Sequence, residues 1–221
     1  MDAFWTSRGA APARASGTVG LKAWVAASGL SLWIWTCLHL FGTLTVFAGA
    51  ERMERYAAWL RQGASVPLWC LRAGLLSAFV LHVWLVLRLW ARARRARPVG
   101  YAHAGHIAAR ALRWGAAALL VLIAAHVAHF SFGAGLPGFA PEHVHANLLG
   151  AFESAPGMTL LYVLFAALFG LHLVHGLRAA AVSLGSHLAS PTARVLATLV
   201  GVSIAAGFAL VPIVIWLGVL S

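Results

Sequence analysis

Four histidines, His39, His82, His126 and His172, each lie inside a different long apolar segment of the chain. A neutral imidazole offers one ring-nitrogen lone pair to a metal. When two imidazoles hold the two faces of a porphyrin iron, no coordination position is left for dioxygen or substrate, and such a centre carries electrons. A ligating side chain within a membrane-spanning segment is costly and reads by default as a functional site facing the bundle interior. For a single histidine the competing reading is a hydrogen-bonded packing residue. Four of them on four segments, falling into two depth-matched pairs, point instead to two porphyrin irons stacked across a bilayer.

The segments that must position them are membrane spans. The chain has 221 residues, is 62% hydrophobic and only 10% charged, against about 25% charged in an ordinary soluble domain. Its mean hydropathy is +0.85. The apolar runs are each long enough to cross roughly 30 Å of hydrocarbon as helices, whereas barrel strands would be short and alternating. Five spans are expected, at about 23–48, 68–90, 112–132, 157–180 and 193–219. The expected fold is all-α, a five-helix integral membrane bundle binding haem within a four-helix core. No apolar core precedes Val19, which argues against a cleaved signal peptide.

Formal charge is +11. In a soluble chain that balance would raise nucleic acid as a partner; here the charge sits at the ends of spans and in loops, and none is expected. Twelve of the sixteen Lys and Arg fall before the first span (Arg8, Arg14, Lys22), between the second and third (Arg88, Arg92, Arg94, Arg95, Arg97, Arg110, Arg113) and between the fourth and fifth (Arg178, Arg194). By the positive-inside rule these regions are cytoplasmic, which places the N-terminus inside and the C-terminus outside. The run from Arg88 to Arg97 reads as headgroup anchoring, compatible with docking of a cytoplasmic partner. All acidic residues except Asp2 lie on the other side, as Glu51, Glu54, Glu142 and Glu153, where proton traffic at an outer quinone site would need carboxylates. The segment 133–156 is the longest loop, and its Gly and Pro content argues against a helix through most of it.

With that orientation His39 and His126 come in the outer half of outward-running spans. His82 and His172 lie about 22 Å down two inward-running ones. His129 and His175 follow His126 and His172 by three residues, on the same helical face, and suit contacts to porphyrin propionates or a quinone. His103, His106, His143, His145 and His187 fall in loops and read as surface. Gly42, Gly74, Gly115, Gly170 and Gly176 lie within a few turns of the four ligands, where a missing side chain could admit a flat macrocycle, although glycine is also common at helix contacts in membranes. Cys37 and Cys70 read as small buried hydrophobes. Arg110 and Arg113, at the inner end of the third span, could pair a propionate or a quinone carbonyl, or snorkel to headgroups.

The ordered set resembles the single-chain, five-helix dihaem cytochrome b anchor of succinate:menaquinone oxidoreductases and quinol:fumarate reductases, over nearly the whole chain. His39-Leu-Phe-Gly-Thr is similar to that family's His-Leu-x-x-Asn segment, with Thr43 in place of Asn. Leu81-His82 precedes a basic stretch ending Ala96-Arg97-Pro98-Val99-Gly100-Tyr101, similar to the actinobacterial branch. Arg113 precedes His126-Val127 by thirteen positions, but Trp114-Gly115 replaces the middle of the family's Arg-Val-Thr-Gly motif. Leu171-His172-Leu-Val-His-Gly176-Leu177-Arg178 resembles the family's His-x-x-x-Gly-Leu helix, and Pro191-Thr192-Ala193-Arg194 opens the fifth span.

The resemblance implies a proximal haem b on His82 and His172, a distal one on His39 and His126, and menaquinone as the membrane partner. It implies a flavoprotein and an iron-sulfur subunit docked on the cytoplasmic side of a bacterial inner membrane, with dicarboxylate chemistry on those partners; such complexes could also form higher oligomers. The chain is then the electron-transfer and quinone-binding subunit of the enzyme, with succinate oxidation preferred over fumarate reduction. Some quinol-oxidising relatives carry a glutamate where this chain has Gly170. Others hold a membrane iron-sulfur centre in place of one haem, for which Cys37 and His39, two apart on a helix, are awkwardly placed. The alternatives weighed are a dihaem anchor of a hydrogenase or formate dehydrogenase, a divalent-metal transporter, which would want acidic partners in the spans, and a structural anchor with packing histidines.

Overall fold

The computed structural model describes residues 13–96, 105–185 and 190–220, without side chains at 13–16 and 105–110. Arg8, Arg97, His103, His187 and the Pro98–Tyr101 stretch therefore lie outside the described residues, as do the side chains of Arg14, His106 and Arg110. Every element is helical: α1 (Ala13–Leu44), a 3-10 turn (Thr45–Ala48), α2 (Ala50–Gln62), α3 (Ser65–Arg95), α4 (Gly105–Phe132), α5 (Val144–Phe152), α6 (Pro156–Ser183) and α7 (Pro191–Trp216). Among the described residues there is no strand. Five stretches are long and apolar enough to cross a bilayer: Gly17–Ala48, Ser65–Arg95, Ala111–Phe132, Pro156–Ser183 and Pro191–Trp216. They match the five expected spans, and the chain is read as a multi-pass membrane protein.

Local chemistry explains the boundaries. In α1 the hydroxyls of Ser28, Ser31, Thr36 and Thr43 donate to carbonyls three or four residues back, on Val25, Ala27, Leu32 and His39. These hydroxyls thus sit in an apolar helix with their donors paired. The chain turns away at Gly49, whose φ of 89° is the region glycine tolerates and side chains avoid. α7 starts with Pro191 at its first turn and Ser190 as its cap, the Ser190 hydroxyl accepting from Ala193 N at 3.3 Å. Along α3, Arg72, Arg88 and Arg94 lie over the exposed rings of Trp69, Trp84 and Trp90 at 4.9, 4.2 and 4.9 Å. These pairs sit toward both ends of the helix, where aromatic belts and snorkelling cations hold a span at the bilayer surfaces, in keeping with the anchoring role expected of the arginine run.

The helices do not close a ring. α1 packs against α3, α6 and α7; α6 packs most extensively against α7; α4 leans on α6. The order around the bundle is α3, α1, α6, α4, and α3 and α4 meet no more than marginally. The expected four-helix core is thus open on one side. α7 backs α6 through a close backbone approach: a Cβ on Gly170 would lie 2.9 Å from Gly201 O, and one on Gly201 would lie 2.4 Å from Val174 Cγ2. Gly170 therefore serves helix packing of the small-residue kind and not a macrocycle, and its position next to the α7 backbone leaves no room for a carboxylate side chain.

Two helices outside the five spans, α2 and α5, were not expected; α5 occupies 9 residues of the long loop. With the 3-10 turn and the end of α7 they build a cap whose core includes Val46, Met53, Leu148, Phe152, Val211 and Ile215. Glu54 accepts from His145 N at 2.8 Å, which satisfies an otherwise orphan donor at the start of α5. Arg61 donates to Glu142 O at 3.3 Å, while Asn147 exchanges hydrogen bonds with the backbone of Ala140. Glu51 pairs with Arg55 within α2. The sequence hid this cap because α2 is short and mostly polar, carrying only one buried residue, Met53. The carboxylates expected to serve proton traffic include Glu54, which here ties α2 to α5.

Replacing Gly201 with Val should push α6 and α7 apart and lower stability by about 1–3 kcal/mol, read as a lower thermal-unfolding midpoint in detergent. Gly74→Ala, where an added Cβ would meet nothing within 4 Å, should leave the midpoint unchanged or slightly raised. Equal midpoints for the two variants would contradict the close α6–α7 approach.

Candidate functional site

His39 comes from α1 and His126 from α4, two helices whose backbones do not pack beyond marginal contact. Their rings nevertheless face each other with centroids 5.7 Å apart and planes at 74°. Phe208 of α7 flanks His39 at 5.7 Å, and Phe130, Tyr162 and Phe165 surround His126. His126 Nδ1 is buried and has no hydrogen-bond partner among the described residues. His39 is itself exposed, although its ring lies between α4 and α7; that combination is what a side chain lining open space inside a bundle shows.

The second pair sits toward the arginine-rich end of α3. His82 of α3 is held by α1: its Nδ1 lies 3.0 Å from Ser28 Oγ, and Ser28 in turn donates to Val25 O at 3.1 Å. With the single hydroxyl proton of Ser28 on Val25 O, His82 Nδ1 donates to Ser28 Oγ and Nε2 keeps a free lone pair. Gly29 makes room for the ring, since a Cβ there would stand 3.2 Å from His82 Cε1. His172 of α6 is within charge-interaction range of both His82 and His175. α3 and α6, like α1 and α4, do not pack beyond marginal contact.

The two pairs occupy two levels. On α1, Gly29 touches the ring of one pair and His39 belongs to the other; on α6, Tyr162 touches His126 and His172 belongs to the other pair. Each separation is ten residues, or about 15 Å of helix. Two helices of opposite direction therefore agree on the spacing. Of the two expected pairs, the rings of His39 and His126 meet at 5.7 Å, while His82 makes its ring contacts with Ser28 and Gly29 of α1.

These residues fit a porphyrin iron. With metal–nitrogen bonds of about 2 Å, two imidazoles on one metal have ring centres roughly 6 Å apart, close to the 5.7 Å found for His39 and His126. The Ser28 contact supplies the second hydrogen bond that metal-bound histidines use to fix tautomer and orientation. His39 and His126 bridge two helices, α1 and α4, whose backbones do not pack beyond marginal contact. No group of three or more His, Cys, Asp and Glu gathers among the described residues, as a zinc or iron-sulfur site would require.

Other expected site residues divide. His129 is buried, and its Nε2 has no partner among the described residues. His175 and Arg113 are exposed, so Arg113 suits the snorkelling role. Cys37 and Cys70, expected to be buried, are both exposed: in a span most of the helix circumference faces lipid, and an apolar neighbourhood in sequence does not imply an interior position. Of the glycines, Gly42 faces Tyr56, Gly115 faces Leu168, and Gly74 and Gly176 face open space, while Gly29 is the one beside a ligand candidate. Sequence reasoning missed Ser28, Gly29 and Trp33, whose buried indole nitrogen also lacks a partner among the described residues. The signal for Ser28 was its hydroxyl in an apolar run; nothing in the sequence says that it meets His82. No protein-family model, curated protein or solved structure matches this chain.

Ser28→Ala removes the contact that orients His82 and should weaken haem retention at that level by about 10-fold or more, measured by pyridine haemochrome titration during haem extraction. Retention equal to the parent chain would show that Ser28 does not orient a ligand.

Proposed function

We propose that the chain is the cytochrome b membrane-anchor subunit of a succinate:quinone oxidoreductase, holding two haem b groups and passing electrons between a cytoplasmic iron-sulfur subunit and menaquinone in the membrane. The observation that carries this reading is the pair of imidazole pairs, on four helices, at two levels. The haems, when bound, supply one-electron carriage along the bundle. The chain's own residues do the rest. His39 and His126 grip one group toward the capped end, and His82 and His172 grip the other. Ser28 and Gly29 set the ring of His82, and Phe208 and Tyr162 wall the capped-end level.

Dicarboxylate chemistry belongs to partner subunits, a flavoprotein and an iron-sulfur protein, docked at the arginine-rich end. The absence of Asp and Glu from all five spans weighs against a divalent-metal transporter. Quinone reduction takes two electrons and two protons. With succinate oxidised inside and quinone reduced near the capped, outer end, each electron crosses part of the membrane field, worth about 2.3 kcal/mol per charge per 100 mV over the full width. The resemblance to the actinobacterial branch favours succinate oxidation over fumarate reduction, in a bacterial inner membrane with the N-terminus inside.

Purified with its partners, the protein should give a b-type reduced-minus-oxidised spectrum with two haems per chain. His82→Ala should lose the haem at the arginine-rich end, and His126→Ala the one at the capped end, each leaving one haem. Full haem content in either variant, or none in the parent, would refute the assignment.

A further inference from the structure

The two ends of the bundle treat their arginines differently. At the capped end Arg55 pairs with Glu51, and Arg61 donates to the carbonyl oxygens of Pro141 and Glu142. The described acidic residues, Glu51, Glu54, Glu142 and Glu153, all belong to that end. At the other end α3 carries Arg88, Arg92, Arg94 and Arg95, each of them exposed, and no carboxylate pairs with any of them among the described residues.

Three of these arginines share one side of the helix. Trp84, Arg88, Arg92 and Arg95 follow one another at intervals of four, four and three residues, the spacing of a single helix face. That face is not the one that carries His82. Trp84 comes two residues after His82, about 200° around the helix, while Arg88 and Arg95 come about 240° and 220° around it. His82 turns to Ser28 and Gly29 of α1, so the stripe looks away from the bundle interior and toward lipid. Arg88 stands over the exposed Trp84 ring at 4.2 Å. Arg92 reaches the start of α1 and donates to Gly17 O at 3.1 Å, so one edge of the stripe borders the groove between α1 and α3. One turn deeper, Val80 and Leu81 are exposed on the same side of α3.

A lone arginine that snorkels is satisfied by any headgroup. Three guanidiniums without a carboxylate, gathered on one face within about 10 Å of helix length, instead select a net negative charge. Guanidinium forks match phosphate oxygens two at a time. The bare apolar surface beneath them suits acyl chains.

We propose that the face of α3 formed by Trp84, Arg88, Arg92 and Arg95 binds an anionic phospholipid of the leaflet at the arginine-rich end, with its phosphate on the guanidiniums and its chains along Val80, Leu81 and the Trp84 ring. The site rests on the multi-pass reading of the chain and not on the haem assignment. It lies on the flank of the span and leaves the end of the bundle to soluble partners.

The test titrates the purified, detergent-solubilised complex with phosphatidylglycerol or phosphatidylcholine of identical chains and reads bound lipid by native mass spectrometry. Phosphatidylglycerol should bind about 10-fold more tightly, or better. Arg88→Gln combined with Arg95→Gln, which spares the Arg92 contact to α1, should weaken phosphatidylglycerol binding by about 10-fold and leave phosphatidylcholine unchanged. Arg72→Gln, which removes the guanidinium over Trp69 at the capped end, should alter neither. Equal affinity of the parent complex for the two lipids would overturn the site, and that comparison stands even if the double variant is not recovered. Phosphatidylglycerol affinity retained in the double variant would overturn it as well; if partner subunits are lost at the same time, the stripe is a protein-docking surface. A complex that prefers phosphatidylglycerol and carries no haem refutes the anchor reading and leaves the lipid site standing.

Discussion

A neutral imidazole in a hydrocarbon interior has a lone pair with no water to satisfy it, and the arrangement of this bundle follows from where those lone pairs can go. His39 and His126 meet across α1 and α4, which do not otherwise pack beyond marginal contact. If the rings served packing, their helices would be expected to close on them; instead α1 and α4 stay apart around a 5.7 Å ring pair. Ser28 Oγ lies between His82 Nδ1 and Val25 O, and the tautomer that satisfies both contacts puts the His82 lone pair on Nε2.

Stability must then come from elsewhere, and it does so in two places. α6 and α7 approach to backbone contact through Gly170 and Gly201, giving the loose half of the bundle a stiff backing. The cap contributes a dense apolar core in which Val46 and Ile215 have no exposed surface at all. The bundle is thus braced where Gly170 and Gly201 bring α6 and α7 together and covered at one end by helices that do not span the membrane.

The five spans were legible in the sequence because they follow from the length of apolar runs, and the meeting of His39 with His126 from the count of residues to a span end. The direction of each side chain around its helix was not. Cys37 looked buried by its neighbours and is exposed; for Gly170 macrocycle space and helix contact were both open, and it is a helix contact. Such errors share a cause, since in a span nearly every residue is apolar and the usual polar stripe that marks the outward face is missing. α2 and α5 escaped for the opposite reason. Their burial depends on tertiary partners such as Glu54 with the backbone of His145, a contact between positions 91 residues apart that no local pattern announces. The partner of His82 on α1, Ser28, is a contact of the same long-range kind.

The central claim is that metal sits between the imidazoles at two depths. An anomalous difference map collected at the iron edge from crystals of the purified complex measures this without reference to activity. The account predicts two iron peaks in this chain about 15 Å apart along the axis of α1, one between His39 and His126 and the other between His82 and His172. A map with no iron within the bundle, or with iron at positions that none of the four rings reaches, would contradict it.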